Sequence, residues 1–287
     1  MISPLSLIVI SAEMLGGELL FNEPIAYPRT PDSFFTVRTS EYLGFRLEYF
    51  EGCIGREFPF ITLKRKDLKL QMGAEAAAWM TLGYKDGAFP LLTQDFLVAL
   101  PISFRYRKLS GTLKFNHISA HMGDGMDRLL EETLSNREKA KLDKAQNLAE
   151  KEGLVVGLAT PVVYSRDFLS GLLSYEERIG VLDARGYIHL GHIHKMRPAF
   201  LKRWFAGNGI ELEYQSGYGT PYYAQDITWN QDVDSIDYSG QLGIMKKPSK
   251  EDTFELRIGL TAFMGKDRRG QLVGHKLKQL GLGLFIR

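Results

Sequence analysis

The stretch "DFLVALPISFRYR", residues 95–107, alternates between apolar and polar side chains along most of its length. One face carries Phe96, Val98, Leu100, Ile102, Phe104 and Tyr106, and the other carries Asp95, Ser103, Arg105 and Arg107. Successive side chains of a β-strand point to opposite sides of the sheet, so this pattern predicts a strand with one apolar and one polar face. Soluble strands usually run about 5 to 6 residues, whereas a strand that crosses a bilayer needs about 9 to 11. The length of the alternation therefore favours a membrane-spanning strand.

The same alternation recurs in "DLKLQMGAEAAAWMTLGY" (67–84), "FELRIGLTAF" (254–263) and "KQLGLGLFIR" (278–287). Roughly twelve segments are predicted as strands. They are 34–40, 44–52, 68–82, 94–107, 111–121, 161–175, 186–194, 207–214, 221–229, 236–246, 254–264 and 277–287. An apolar outside, a polar inside and an even strand number are typical of bacterial outer-membrane barrels. The sequence thus predicts an all-β, antiparallel, up-and-down transmembrane barrel in the outer membrane, with a soluble sandwich or lipocalin-like barrel as the alternative.

Charge and cysteine content exclude several classes of protein. The 36 basic and 34 acidic residues leave a net charge of +2, so nucleic acid is not an expected partner. Cys53 is the only cysteine, which excludes an internal disulfide and a cysteine-based metal cluster. The residues expected to face the lumen carry both signs, and long side chains that pair would largely fill a barrel of this size. They are Lys69, Glu75, Arg105, Arg107, Lys114, Arg166, Glu211, Glu213, Glu255 and Arg257.

Two segments lie outside the strand pattern. Residues 1–33 combine an apolar run, "PLSLIVISA", with the proline-rich "NEPIAYPRTPDSFF", and they are predicted as a signal remnant and a periplasmic arm or plug that precedes the barrel at 34–287. Residues 122–160 form one long connection that is strongly charged and helix-forming in composition. Membrane barrels have short periplasmic turns and long extracellular loops, so this connection is expected outside the cell.

The stretch "TLKFNHISAHMGDG", residues 112–125, continues an apolar strand face with polar groups. His117, Ser119 and His121 follow Leu113 and Phe115 on the same face, and the strand is expected to end at the outer rim of the membrane. A serine becomes a useful nucleophile when a neighbouring base removes its proton, and that base needs a partner to orient it. His117 and Ser119 are therefore candidate catalytic residues.

Asp167 is the candidate orienting residue, because consecutive barrel strands are antiparallel and this places it near His117 or His121. Asp124 competes for that role. His121 and Asp124 are also predicted to bind lipid headgroups at the rim, and hydrogen bonding of this kind is the alternative explanation for the whole stretch. Calcium would fit the hard carboxylate oxygens of Asp124 and Asp127, and no other cofactor is expected.

Three segments together resemble a bacterial family catalogued as domain of unknown function 1207. They are "LKLQMGAEAAAWMTL", "LLTQDFLVALPISFRYRKLSGTLKFNHISAHMGD" and "YSRDFLSGLLSYE", and the lead-in "LFNEPIAYPRTPDSFF" is similar as well. The resemblance runs from about residue 20 onward and implies an outer-membrane barrel without an established activity. Separately, "NHIS" is similar to the His-x-Ser pair that two outer-membrane lipid hydrolases, a phospholipase and a lipid A deacylase, carry on a lipid-facing strand.

These observations lead to three hypotheses of function. The first is a lumen-filled barrel with a structural or assembly role, whose partners would be the outer-membrane assembly machinery and other envelope proteins. The second is a hydrolase of acyl esters in outer-leaflet phospholipid or lipopolysaccharide that uses His117, Ser119 and Asp167. The third is a narrow solute channel. A second histidine group, His189, His192 and His194, is interpreted as polar filling, with the last two on one face.

Overall fold

The computed structural model describes residues 11–14, 17–42, 45–84, 87–123, 125, 164–197, 203–216, 219–247 and 254–287. Twelve antiparallel strands, β2 to β13, form a closed barrel in chain order, and β13 pairs with β2. A short strand, β1, pairs with the end of β3. The bounds are β1 Ser11–Met14, β2 Ser33–Tyr42, β3 Phe45–Arg65, β4 Leu68–Gly83, β5 Leu91–Tyr106, β6 Leu109–Met122, β7 Tyr164–Ile179, β8 Leu182–Arg197, β9 Trp204–Tyr214, β10 Thr220–Asn230, β11 Ser235–Lys246, β12 Leu256–Lys266 and β13 Lys276–Ile286. No α-helix among the described residues is long and apolar enough to cross a bilayer.

The two ends of the barrel differ in the length of their connections. At one end β3–β4, β5–β6 and β7–β8 are joined by residues 66–67, 107–108 and 180–181. Two-residue hairpin turns need a positive φ at their first position, and Lys66, Arg107 and Gly180 have φ values of 50°, 54° and 63°. The opposite end carries the connection between β6 and β7. Short turns are typical of the periplasmic end, so the end with these three turns is taken as periplasmic. The expected helical, extracellular loop at 122–160 lies almost entirely outside the described residues.

The outer surface of the barrel is apolar, as the alternation predicts. Leu70, Leu100, Phe115 and Leu282 are between 42% and 57% exposed on the outer face, whereas Glu75 is only 2% exposed. Large exposed apolar side chains in such numbers are unusual for a soluble protein and are the surface that hydrocarbon covers. The predicted transmembrane barrel is confirmed, and the alternative soluble fold is wrong.

The lumen is occupied by the chain's own N-terminal segment, residues 18–32, which we call the plug. Leu20, Phe21, Ile25 and Ala26 of the plug are buried. The expected periplasmic arm therefore lies largely inside the barrel. A proline-rich segment cannot join a strand ladder, but it can cross a lumen in which side chains satisfy its backbone. The Glu211 carboxylate, for example, accepts the hydrogen bond of the Ile25 backbone N–H.

Ion pairs fix the plug to the wall. The Lys114 ammonium on β6 lies 2.6 Å from Glu23 Oε1 and also contacts Glu75, and both carboxylates are buried. Arg29 in the plug lies 2.5 Å from the buried Asp95 carboxylate of β5. Asp32 contacts Arg257 and Arg287, the latter at 2.7 Å. Buried charges need such partners because desolvation of an unpaired charge is costly.

Pairs within the wall also fill the lumen. Arg105 on β5 lies 3.1 Å from Glu176 on β7, and Arg166 lies 2.7 Å from Asp232. A cavity of about 1130 Å³ remains at the periplasmic end. Two smaller cavities, of about 90 and 110 Å³, border the plug at Tyr27 and Arg29. The lumen is thus largely closed by charged pairs and by the plug.

Candidate lipid-facing site

His117 and Asp167 face each other directly across the β6–β7 ladder on the outer surface of the barrel. His117 Nδ1 and Asp167 Oδ1 are 2.5 Å apart and form a hydrogen bond. The His117 side chain is 48% exposed and the Asp167 side chain 21%. Strand alternation turns both outward, and the antiparallel order of consecutive strands brings them to the same height.

The hydrogen bond determines which nitrogen of His117 can act as a base. A carboxylate accepts hydrogen bonds only, so this contact places a proton on Nδ1, and in the neutral form of the ring the lone pair is then on Nε2. Nε2 of an imidazole held in this way can accept the proton of a nearby hydroxyl group, and the carboxylate stabilises the imidazolium that results. The pair therefore has the orientation that a general base requires.

Ser119 is the nearest residue on the same face of β6 that can supply such a hydroxyl. It is half-buried and follows His117 by two residues, a step of about 7 Å along a strand. No hydrogen bond joins its hydroxyl to His117 within the described residues. Across the ladder Ser119 faces Ser165, and on the other side it faces Phe96. Catalytic hydrogen bonds are often long before substrate binds, and rotation about the side-chain bonds brings the two groups closer.

The surroundings of His117 and Ser119 divide into an apolar and a polar side. On β5, Phe96 faces Ser119 and Val98 faces His117, and these two apolar side chains are 40% and 58% exposed. Below them Phe115 continues the apolar belt. The candidate site thus lies at the extracellular end of the apolar outer belt.

Of the two residues predicted to bind headgroups, His121 lies within the described part of the chain and Asp124 does not. His121 is exposed at the rim, and its ring lies 6.0 Å from that of Phe96, between ring centroids. Asp124, which also competed with Asp167 as the orienting residue, lies outside the described residues, as does Asp127 and therefore the predicted calcium site. Among the residues that the structure does describe, no group of three or more His, Cys, Asp or Glu side chains could hold a metal ion.

The second histidine group is divided between the two faces of β8. His189 points into the lumen, where its Nε2 lies 3.1 Å from Asp226 Oδ2 and its ring packs against Tyr27 of the plug. His192 and His194 point outward, as their shared face predicts, and His192 lies 4.5 Å from Trp204 between ring centroids. Only the outward pair is near the candidate site.

Sequence reasoning missed the polar side of the site, on β8. The β7–β8 register shifts by one residue, from Asp167 opposite Lys195 to Phe168 opposite Ile193, so His194 is the extra residue of a β-bulge. Both His194 and Lys195 are exposed as a result. The signal for this bulge is the broken alternation in "HIHKMR" (192–197). In a regular strand, residues on one face are separated by an even number of positions, but the apolar residues Ile193 and Met196 are three positions apart.

No protein-family model matches the sequence, and no curated protein is significantly similar to it. The resemblance to domain of unknown function 1207 therefore stays a prediction.

Solved structures of outer-membrane barrels are similar in fold. The outer membrane phospholipase A of Escherichia coli has a TM-score of 0.51 and 10% identity, with 93% of each chain covered. The Salmonella typhi outer membrane phospholipase dimer with bound calcium has a TM-score of 0.48 and 11% identity, with 91% of this chain and 94% of that chain covered. The β domain of the Bordetella autotransporter BrkA has a TM-score of 0.41 and 7% identity, with 88% and 98% covered. At 10% identity the likeness to the Escherichia coli protein concerns the fold alone. With its twelve antiparallel strands and apolar outer belt, the protein is a bacterial outer-membrane β-barrel.

Proposed function

We propose that this barrel hydrolyses acyl esters of lipids in the outer leaflet. The hydrogen bond between His117 and Asp167, on the exposed outer face and beside Ser119, carries the proposal. Elsewhere the barrel keeps its charged groups mainly in the lumen or at its ends, and ionisable groups at a lipid-facing surface are costly. A solvated or headgroup-binding histidine needs no aspartate at this position, whereas a general base does.

The chemistry follows from the arrangement of the three side chains. The Ser119 hydroxyl attacks the ester carbonyl while its proton passes to Nε2 of His117, which gives a tetrahedral intermediate. The intermediate collapses to an acyl-serine, and the imidazolium returns the proton to the departing alcohol. Water, deprotonated by the same nitrogen, then attacks the acyl-serine and releases the fatty acid. Asp167 stays ionised throughout and stabilises the imidazolium.

The test is the release of fatty acid from detergent-solubilised phospholipid and lipopolysaccharide. The Ser119→Ala variant is expected to lose hydrolysis by about 10³-fold or more, because removal of the nucleophile leaves only the surrounding groups to act. Ser165→Ala is the matched control, since this serine faces Ser119 across the ladder and lies on the same surface. An unchanged rate in Ser119→Ala, or an inactive parent protein that is folded, contradicts the proposal.

Calcium dependence belongs to the same proposal. Asp124 and Asp127 carry carboxylates that suit calcium, so we propose that a calcium ion near the rim contributes to substrate binding. No step of the hydrolysis described above depends on that ion.

A filled barrel with a structural or assembly role is the second candidate function. The plug and its buried ion pairs support it, because they occupy the lumen through which a channel would conduct. The assembly machinery or other envelope proteins would then be its partners. An inactive but folded parent protein in the hydrolysis assay leaves this function in place.

A further inference from the structure

Two cations beside the candidate site take no part in the hydrolysis described above. Lys195 and Arg197 lie on β8, and both side chains are exposed on the outer face. Lys195 faces Asp167 across the β7–β8 ladder, and Arg197 faces Ser165. Ser165 in turn faces Ser119. Lys195 therefore lies in one cross-strand row with Asp167 and His117, and Arg197 lies in the next row with Ser165 and Ser119.

The bulge in β8 is the local feature that brings this charge to the surface. Without the extra residue, Lys195 and Arg197 would follow Ile193 onto the lumen side. With it, His194 and Lys195 both face outward, and Met196 is buried. The guanidinium of Arg203 donates a hydrogen bond of 2.7 Å to the His194 carbonyl. Bulges that re-aim side chains in this way are over-represented next to functional sites.

The positive charge of these two residues exceeds the negative charge beside them on the described part of the surface. Asp167 lies opposite Lys195 and is a single carboxylate for two cations, and its described side-chain contact is the hydrogen bond with His117. No other carboxylate lies on the described outer face of the extracellular half of β5 to β9, and neither Lys195 nor Arg197 forms an ion pair with a described residue. Cationic groups in a partly dry environment bind phosphate strongly.

We propose that Lys195 and Arg197 bind the anionic phosphate of a lipid headgroup while the acyl ester of the same lipid lies at Ser119. This inference rests on the proposed function and assigns its substrate class: phospholipids or phosphorylated glycolipids with a net negative headgroup. Two strand spacings, about 10 Å, separate Ser119 from Arg197, and the long arginine side chain can shorten that gap. On the other side, Phe96 and Val98 provide an apolar surface for the acyl chains.

Lipid retention, measured by native mass spectrometry in the Ser119→Ala background, tests binding without hydrolysis. The probes are an ether-linked phosphatidylglycerol and an ether-linked phosphatidylcholine, which contain no ester to cleave. The Lys195→Gln/Arg197→Gln variant is expected to retain the phosphatidylglycerol about tenfold less well than its parent, which corresponds to about 1.4 kcal/mol. Retention of the phosphatidylcholine should change little, because its ammonium group already offsets the phosphate.

The matched control is Lys276→Gln/Lys278→Gln. These two lysines are exposed on the outer face of β13, at the same end of the barrel but five strands away, and the charge loss is equal. This control should retain both lipids as the parent does. The assignment is overturned if both double variants retain phosphatidylglycerol as well as the parent does, or if both retain it less well by the same factor.

Hydrolysis provides the separate readout, in a chain that keeps Ser119. Lys195→Gln/Arg197→Gln should lower kcat/KM for ester-linked phosphatidylglycerol about tenfold, mainly through KM, and leave the rate with an uncharged acyl ester unchanged. The charge-conserving variant Lys195→Arg/Arg197→Lys should restore binding. Phosphatidylglycerol binding that depends on these cations, in a protein that hydrolyses nothing, supports the headgroup site and refutes only the hydrolase.

Discussion

At the scale of single residues, the candidate site depends on one cross-strand hydrogen bond. Asp167 forms a hydrogen bond with His117, so its part in the proposed hydrolysis is to position the imidazole and to fix its tautomer. Because Asp167 is partly exposed on a strand that the ladder holds on both sides, its replacement should leave the barrel intact.

Asp167→Ala is therefore expected to lower kcat by about 10² to 10⁴-fold with little change in KM, the range typical of a lost general base. Asp167→Asn should not restore activity, because its amide NH2 can donate to Nδ1 and leave the proton on Nε2, where the ring cannot act as a base. The measurement is steady-state hydrolysis, with the folded fraction followed by the mobility of unheated protein on SDS gels. A fall in folded fraction that matches the fall in rate, or a kcat equal to that of the parent, contradicts the positioning role.

The contact between Asp167 and His117 can be anticipated from the sequence, and the surrounding cations cannot. Strand alternation and antiparallel order suffice to place Asp167 beside His117 once the barrel is recognised. Lys195 is on the outer face only because a bulge adds one residue to β8, and a single residue reverses the direction of every side chain beyond it. Regular patterns predict regular ladders, and the irregular step here lies beside the candidate site.

At the scale of elements, the twelve barrel strands are predicted by alternation, whereas their ends depend on turns and bulges. The strand expected at 44–52 continues to Arg65 as β3. Its pattern is interrupted by a register shift between Pro59 and Ile61, which hides the continuation. A proline removes a ladder hydrogen bond and is tolerated at a bulge. The pairing of β3 with β4 is otherwise continuous, so the long hairpin projects beyond the β2 edge on the periplasmic side.

The hairpin turns provide a matched pair of stability variants. Lys66 and Gly180 begin equivalent two-residue turns with φ values of 50° and 63°. A side chain in this conformation costs roughly 1 kcal/mol, which glycine avoids. Lys66→Gly should therefore raise the free energy of unfolding by about 1 kcal/mol, and Gly180→Ala should lower it by a similar amount. Urea titration in lipid vesicles measures both. Shifts of the same sign in the two variants are incompatible with this account of the turns.

At the scale of the whole molecule, the plug makes the barrel a filled scaffold, and the candidate site lies on its outer face. Composition predicts that the lumen is filled by mixed charges, but it does not show that a separate segment supplies part of the filling. Glu23, Arg29 and Asp32 pair with partners 91, 66 and up to 255 positions away in sequence, and no local pattern specifies contacts of that range. The path of the plug is therefore a property of the assembled barrel.

Asp32 makes this assembly sensitive to pH. Burial alone raises the pKa of Asp32, but the guanidinium groups of Arg287 and Arg257 outweigh burial and hold the pKa below its usual value. A carboxyl whose pKa is lowered by folding contributes stability that is present above its unfolded value, about 3.9, and is lost as the pH falls through the folded value. The stability that Asp32 contributes should thus be complete from pH 8 to pH 5 and should decline below about pH 4.

The thermal midpoint of the detergent-solubilised barrel, compared with that of Asp32→Asn, isolates this contribution. Other carboxylates titrate in the same range, so the informative quantity is the difference between the two proteins at each pH. We expect Asp32→Asn to melt several degrees lower at pH 7, because it leaves the two guanidinium groups without their shared carboxylate. The difference should shrink as the pH falls below about 4, because the unfolded parent takes up a proton there while the folded parent, whose Asp32 pKa is lowered, does not. A difference that stays constant between pH 7 and pH 3 means that Asp32 does not anchor the plug as a carboxylate.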